Sequence, residues 1–349
     1  MPHFPTTTNG SSASSSEPRR CMLVTNPRTC SNLLVRILNL DKQPHTKHGG
    51  YHFLECFFVM YGLGAVHTPP SQWTEEQKNA VWEKYRSSIE ALEKTATTEE
   101  SDGTRIVFTK EHVETFTNPI TLVNFALEIE DDQDAASSMT WDVGNHSASS
   151  PCSPLNQTIF PDSYLLSWSP VFLIRHPVRA FESIVCSMTD VLAADERFSN
   201  APEEVKMALI SAHLTLSWTR KLWQFYESKG VPSLIIDADD LVMKPQATTQ
   251  ALAEWVGFDK NALQYTWTEA SDNERAAKEA AMRRMLSSLD ASAGVTVDPS
   301  KLAKNVGSAE EQMPKWRKEF GDVMAEKMWR SIERTMPDYE YLMERRLRP

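Results

Sequence analysis

The sequence predicts an α/β fold, a mainly parallel sheet flanked by helices. Three observations lead there. Short apolar or β-rich runs of strand length recur at 22–24, 106–108, 171–174 and 231–241. Segments with helical spacing separate them, as at Leu33, Leu34, Ile37 and Leu38. A 349-residue chain that is 41% apolar and holds 10 Trp can also bury a sizeable core. No internal repeat or composition break divides the body, so a single domain is expected over 20–349. Residues 1–19, rich in Ser, Thr, Pro and Gly, read as a disordered leader.

The elements follow in chain order. RCMLVTNPRTCSNLLVRILNL (20–40) is a strand, a polar turn and a helix. A helix is expected over 74–95, starting at Thr74 with Glu75 and Glu76 in its first turn. IVF (106–108) is a buried strand, with Lys110, Glu111 and His112 directly after it. The acidic, Ser/Pro-rich stretch 129–163 has no period and reads as a partly mobile lid or a plain insertion. SPVFLIRHPVRAFESIVCSM (169–188) repeats the strand–turn–helix theme. One long amphipathic helix is expected over 203–229, with Trp218, Trp223, Phe225 and Tyr226 as core. Further helices are expected at 247–258, at 272–290 and in the tail 313–346. Asp237, Asp239 and Asp240 read as strand-end turn and capping residues.

Composition excludes several function classes. With 36 Lys+Arg against 47 Asp+Glu, the net charge of −11 leaves no long basic stripe for a nucleic-acid backbone. One pocket for a small anion remains open, since that needs only a few cations. The apolar stretch 53–66 contains Glu55 and is too short to span the roughly 30 Å of membrane hydrocarbon. The N-terminus lacks the apolar core of a secretory signal. The 5 cysteines, Cys21, Cys30, Cys56, Cys152 and Cys186, show no metal-ligand spacing and read as reduced thiols. A cytoplasmic protein without nucleic-acid or membrane partners is expected. Its oligomeric state stays open.

Three segments can carry chemistry. The turn Arg28-Thr29-Cys30-Ser31-Asn32 joins a strand to a helix, where backbone N–H groups and the helix dipole favour anions. Arg28 adds forked donors suited to phosphate or sulfonate. Taken alone, the same turn also reads as an ordinary one capped by Thr29 or Ser31. Arg175 closes a buried strand and Ser183 lies about two helical turns on, so the two can grip one anion from two sides; a surface turn with an Arg ion pair is the alternative. Lys110 and His112 share one side of an extended segment while Glu111 faces away. That pair suits a general base beside a charge-stabilising ammonium, and a surface loop His is its alternative. No carboxylate cluster offers Mg²⁺ a home, so a metal-independent transfer fits better than kinase chemistry.

Taken together, these residues resemble the P-loop-fold sulfotransferases, in the look of their divergent fungal members. NPRTCSNLL (26–34) is similar to the family's 5′-phosphosulfate loop in its PRSGSTLL form. LIRHPVRAFES (173–183) matches the 3′-phosphate motif, with Arg175 followed by Pro177 and Ser183. Lys110-Glu111-His112 is similar to the family's Lys-x-His, IIDADDLVMKP (235–245) to its YEDL-type turn, and KWRKEF (315–320) weakly to its DWKxxF element. Two departures stand out: Arg28 replaces the usual loop Lys, and Cys30 the usual Gly. The Gly-rich element is only hinted at by Lys301, Lys304 and Gly307.

The resemblance implies a P-loop-like architecture and 3′-phosphoadenosine 5′-phosphosulfate as co-substrate. It implies cofactor binding by Arg28, Thr29, Cys30, Ser31, Asn32, Arg175 and Ser183, with His112, Lys110 and Arg28 catalytic. Sulfuryl transfer to a hydroxyl of a small organic acceptor, in secondary-metabolite tailoring, is the implied function. The same fold turned to an elimination or rearrangement, or to non-catalytic nucleotide binding or scaffolding, is the alternative. The acceptor pocket is expected to draw on Tyr51, His52, Phe53 and Trp73 and on 129–163. His213 is expected to be structural.

Overall fold

A computed structural model describes residues 17–99, 103–129, 139–148, 152–194, 196, 199–297 and 307–349. Lys301, Lys304 and the leader up to residue 16 lie outside the described residues. Five strands form the sheet: β1 (Arg19–Thr25), β2 (Thr46–Gly50), β3 (Ile106–His112), β4 (Ser169–Ile174) and β5 (Leu234–Asp237). Their order is β2-β3-β1-β4-β5, and every neighbouring pair is parallel. The α/β class with a parallel sheet is therefore as the sequence predicts.

Alternation along the strands builds two layers. Met22, Val24, Val107, Phe172 and Ile174 face one core; Cys21, Leu23, Phe108, Val171 and Leu173 face the other. The second, smaller core is closed by α1 (Ser31–Leu38) through Leu34, Ile37 and Leu38. The larger core is packed by α2 (Leu54–Gly62), α3 (Glu75–Ala96), α4 (Val113–Phe116), α5 (Pro119–Leu127) and α6 (Asp162–Leu165). It is completed by α7 (Pro177–Ala194), α8 (Glu203–Ser211) and α9 (Ser217–Ser228). Thr74 caps α3 as predicted: its hydroxyl accepts from the Gln77 N–H and the Gln77 side chain returns the bond. Asp237 likewise accepts from the Asp239 N–H and opens α10 (Ala238–Met243). The next helix, α11 (Pro245–Val256), ends at Gly257, whose φ of 98° suits glycine.

Several predicted elements differ in extent. Strand β3 continues through Lys110, Glu111 and His112 rather than ending before them. β2 carries no apolar signal, because TKHGG lies at the sheet edge. The single helix expected over 203–229 is broken between α8 and α9. There the Thr215 hydroxyl accepts from the Ser217 N–H, a local bond that competes with the helical ladder, and the Thr215 carbonyl accepts from Asn26 Nδ2. Residues 272–290 form two helices, α12 (Asp272–Ala276) and α13 (Ala280–Asp290). The tail helix, α14 (Ala309–Glu344), starts earlier than expected, on a Ser308 capping box, and kinks at Gly321.

Of the stretch 129–163, residues 130–138 and 149–151 lie outside the described residues. The described part places Met139, Trp141, Val143, Ile159 and Phe160 in the core, with Trp141 against Trp82 and Tyr85. Trp218, Trp223, Phe225 and Tyr226 are buried, as predicted. All five cysteines are free. Among the described residues no helix is long and apolar enough to cross a membrane.

Candidate active site

The carboxyl ends of β1, β3 and β4 bring the predicted residues together. At the end of β1 the chain turns through Asn26–Cys30 into α1. Asn26 is buried; its amide donates to the Thr215 carbonyl and its Oδ1 accepts from the Thr219 hydroxyl. Thr29 donates back to the Asn26 carbonyl at 2.8 Å, so its hydroxyl serves the turn itself. Arg28 and Cys30 both hold left-handed backbone, with φ of 62° and 65°. Glycine reaches that region without cost, whereas other L-residues pay about 1–2 kcal/mol. Cys30 is also the N-cap of α1 and makes no side-chain cap. Cys30→Gly is expected to raise unfolding stability by about 0.5–1 kcal/mol, seen as a higher urea midpoint at unchanged slope. A lower midpoint would show that the thiol's packing outweighs the strain.

The two anion grips proposed from sequence meet directly. Arg28 Nε donates to Ser183 Oγ at 2.9 Å, and Arg175 Nη1 donates to the Arg28 carbonyl at 2.8 Å. Arg28 Nη1 donates to the Met285 carbonyl of α13, also at 2.8 Å. Burial pushes the Arg28 guanidinium below its usual range, and the neighbouring Arg175 adds to the push. Arg175 Nε is buried with no hydrogen-bond partner among the described residues. Two guanidiniums near enough for Arg175 to disfavour the charge on Arg28, one with a buried donor that lacks a partner among the described residues, form a donor set matched to an anion with several oxygens. Helix α7, whose first turn follows Arg175, carries Ser183 to this point. Nearby, the Lys315 and Trp316 side chains both bond Glu182, and Trp316 is fully buried.

On β3 the alternation places Lys110 and His112 on one face and Glu111 on the other. His112 is half-buried, with Nδ1 at 2.7 Å from Thr25 Oγ1. Thr25 donates its only hydroxyl hydrogen to the Glu111 carbonyl, so His112 Nδ1 must donate to Thr25. The lone pair then sits on Nε2. Burial, then Lys110 and then His213, hold the His112 pKa well below the usual histidine range. The ring is thus neutral and able to accept a proton at neutral pH.

Lys110 donates to Asn32 Oδ1 at 2.6 Å and to the Tyr51 hydroxyl. The Tyr51 hydroxyl donates to the same Asn32 oxygen at 2.9 Å, and its ring lies 5.3 Å from that of His112. Asn32 therefore orients Lys110 rather than standing idle in the turn. Burial pushes the Lys110 ammonium down to about 7, with Glu111 opposing. An unfolded lysine titrates near ~10.4. Between those values the unfolded chain holds a proton that the native chain lacks, so this residue makes stability rise with pH. The unfolding free energy of the wild type relative to Lys110→Met is expected to grow between pH 7 and pH 9.5. A flat difference would show that Lys110 keeps its charge in the fold.

Glu111 points into the large core. Its Oε1 accepts from His52 Nδ1 at 2.6 Å, from the His52 backbone N–H and from the Thr109 hydroxyl. This network pins the segment after β2, where Tyr51 has a φ of 59° and bonds the Lys110 carbonyl through its N–H. Among the described residues expected to form an acceptor pocket, only Tyr51 bonds Lys110 and packs against His112. His52 serves Glu111, Phe53 is fully buried, and the Trp73 indole donates to the Ala65 and Thr68 carbonyls. The roles of Thr25 and the Met285 carbonyl have no signature in sequence.

No family model matches the chain. It is 32% identical over 356 aligned residues to the sulfotransferase ppzF of Metarhizium majus (strain ARSEF 297), covering 97% of this chain and 99% of that protein. Against the sulfotransferase ppzF of Metarhizium rileyi (strain RCEF 4871) it is 32% identical over 352 residues, with 97% and 98% covered. Among solved structures it is similar to the sulfotransferase domain of the Synechococcus PCC 7002 olefin synthase, at 12% identity and a TM-score of 0.35 over 84% of this chain and 89% of that one, too distant a likeness to carry an argument. The two full-length relatives at this identity decide the matter: the chain belongs to the sulfotransferases and is a divergent member of that family.

Proposed function

We propose that the protein transfers a sulfuryl group from 3′-phosphoadenosine 5′-phosphosulfate to a hydroxyl of a small organic acceptor, without a metal ion. The observation that carries this reading is the direct contact of Arg28, Ser183 and Arg175 at the ends of β1 and β4, beside the Lys110–His112 pair. The buried Arg175 Nε, without a partner among the described residues, and the two neighbouring arginines fit a nucleotide with two separate phosphates. Arg175 and Ser183 would hold the 3′-phosphate, and the Arg28–Asn32 turn the 5′-phosphosulfate, through Arg28 and the N–H groups opening α1.

The bound nucleotide supplies the sulfuryl group: its sulfur–oxygen bond to phosphate breaks as one to the acceptor oxygen forms, leaving adenosine 3′,5′-bisphosphate. His112 Nε2 takes the acceptor's hydroxyl proton, with Thr25 fixing the tautomer. Lys110, aimed by Asn32 and Tyr51, and Arg28 stabilise negative charge on the moving group and the departing oxygen. Arg28 is a poor proton donor, so its part is electrostatic. A role in secondary-metabolite tailoring is supported by the likeness to divergent fungal members, and a cytoplasmic site by the free cysteines.

Calorimetry with adenosine 3′,5′-bisphosphate tests the nucleotide, and mass spectrometry of products formed from the sulfate donor tests the chemistry. Saturable binding and products heavier by one SO₃ are expected. Absent binding would point to a scaffold. Binding with a product of other mass would point to elimination or rearrangement on the same fold.

A further inference from the structure

Two residues beyond His112 lies a second histidine–carboxylate pair. Glu114 on α4 is fully buried, with Oε1 at 3.1 Å from His213 Nδ1 and Oε2 without a partner among the described residues. His213 is only 6% exposed and sits in the break between α8 and α9, its ring 4.7 Å from that of Phe57. The same break reaches the candidate site: the Thr215 carbonyl accepts from Asn26, and the adjoining Thr25 holds His112.

A carboxylate only accepts, so His213 Nδ1 carries the hydrogen of this bond. His213 Nε2 makes no hydrogen bond among the described residues. Both histidines are thus anchored through Nδ1, and both leave Nε2 for a ligand. One base serves one sulfuryl transfer. A second imidazole, buried with a carboxylate behind it and an aromatic wall beside it, is costly unless a polar group meets it.

We infer that His213, oriented by Glu114, is a specificity-determining residue that accepts a hydrogen bond from a second donor group on the acceptor. The acceptor class is then an aromatic or apolar molecule with two nearby donors, a diol, catechol or amino alcohol, one hydroxyl at His112 and the other donor at His213. This assignment rests on the sulfuryl-transfer reading above.

The probes are 4-nitrocatechol and 4-nitrophenol, titrated calorimetrically into the full chain saturated with adenosine 3′,5′-bisphosphate. The wild type is expected to bind the catechol about ten-fold or more tightly than the phenol, the scale of one hydrogen bond. His213→Asn keeps a donor to Glu114 but deletes the Nε2 position, and should bring the two affinities within about two-fold. His213→Gln, which can place a polar atom near Nε2, should keep part of the preference. Bisphosphate affinity should stay the same in both variants, which reports an intact fold. Equal affinities in the wild type, no binding of either probe, or an undiminished preference in His213→Asn would overturn the inference. Loss of bisphosphate binding by the wild type would instead overturn the reading beneath it.

Discussion

His112→Ala is expected to lower kcat by about 10²–10⁴-fold while leaving the affinity for adenosine 3′,5′-bisphosphate within two-fold. The size follows from the role. A neutral imidazole at the end of β3, held through Nδ1 by Thr25, would offer the proposed reaction a base already in its accepting form. Its removal leaves bulk water to take the proton. The proposed nucleotide contacts lie instead on Arg28, Ser183 and Arg175, so binding should not be touched. Stopped-time assays with mass-spectrometric product counting give kcat, and calorimetry gives the affinity. A variant retaining more than about a tenth of wild-type kcat would remove His112 from the base role.

Arg175→Ala should act on binding. Losing a charge-assisted grip costs about 1.5–3 kcal/mol, which is about 10–150-fold in the Kd for the bisphosphate. Arg175 also supports the Arg28 carbonyl, so its loss should loosen the left-handed turn that carries the other proposed anion contacts. The repulsion that Arg175 exerts on Arg28 is relieved at the same time, which keeps the loss from growing further. Arg175→Lys retains charge without the fork and should fall between wild type and alanine. An unchanged dissociation constant for the alanine variant would place the 3′-phosphate elsewhere.

How far the sequence foretold this site depends on what carries each contact. Arg28, Arg175 and Ser183 were legible because each sits at a strand-end turn or on the helix leaving it, and side-chain chemistry at such turns is informative. Lys110 and His112 were legible through their spacing of two. Strands β1, β3, β4 and β5 announced themselves as apolar or β-rich runs, whereas β2, with Thr46, Lys47 and His48 at the sheet edge, buries too little to leave a pattern. The Met285 contact was illegible because a backbone carbonyl looks alike in every residue. Tyr51 was named only as a lining residue: its hold on Lys110 needs a φ of 59° that nothing in the local sequence demands. The break at residues 212–216 was missed because tertiary bonds from Asn26 and Thr219 favour it over a continuous helix. His213 reads as structural from its place in that helix, and its bond to Glu114 follows from the break rather than from any local pattern.

The alternation along β3 has a consequence for how this protein tolerates change. A slippage of that strand by one residue would trade the positions of Lys110 and His112 with Glu111, setting a carboxylate beside Asn32, Tyr51 and Thr25 and an ammonium in the large core. Both sides of the sheet would oppose such a slip, one by packing and one by electrostatics. Single-residue insertions or deletions between Ile106 and His112 should therefore be purged in any selection for folded chain, even one blind to activity.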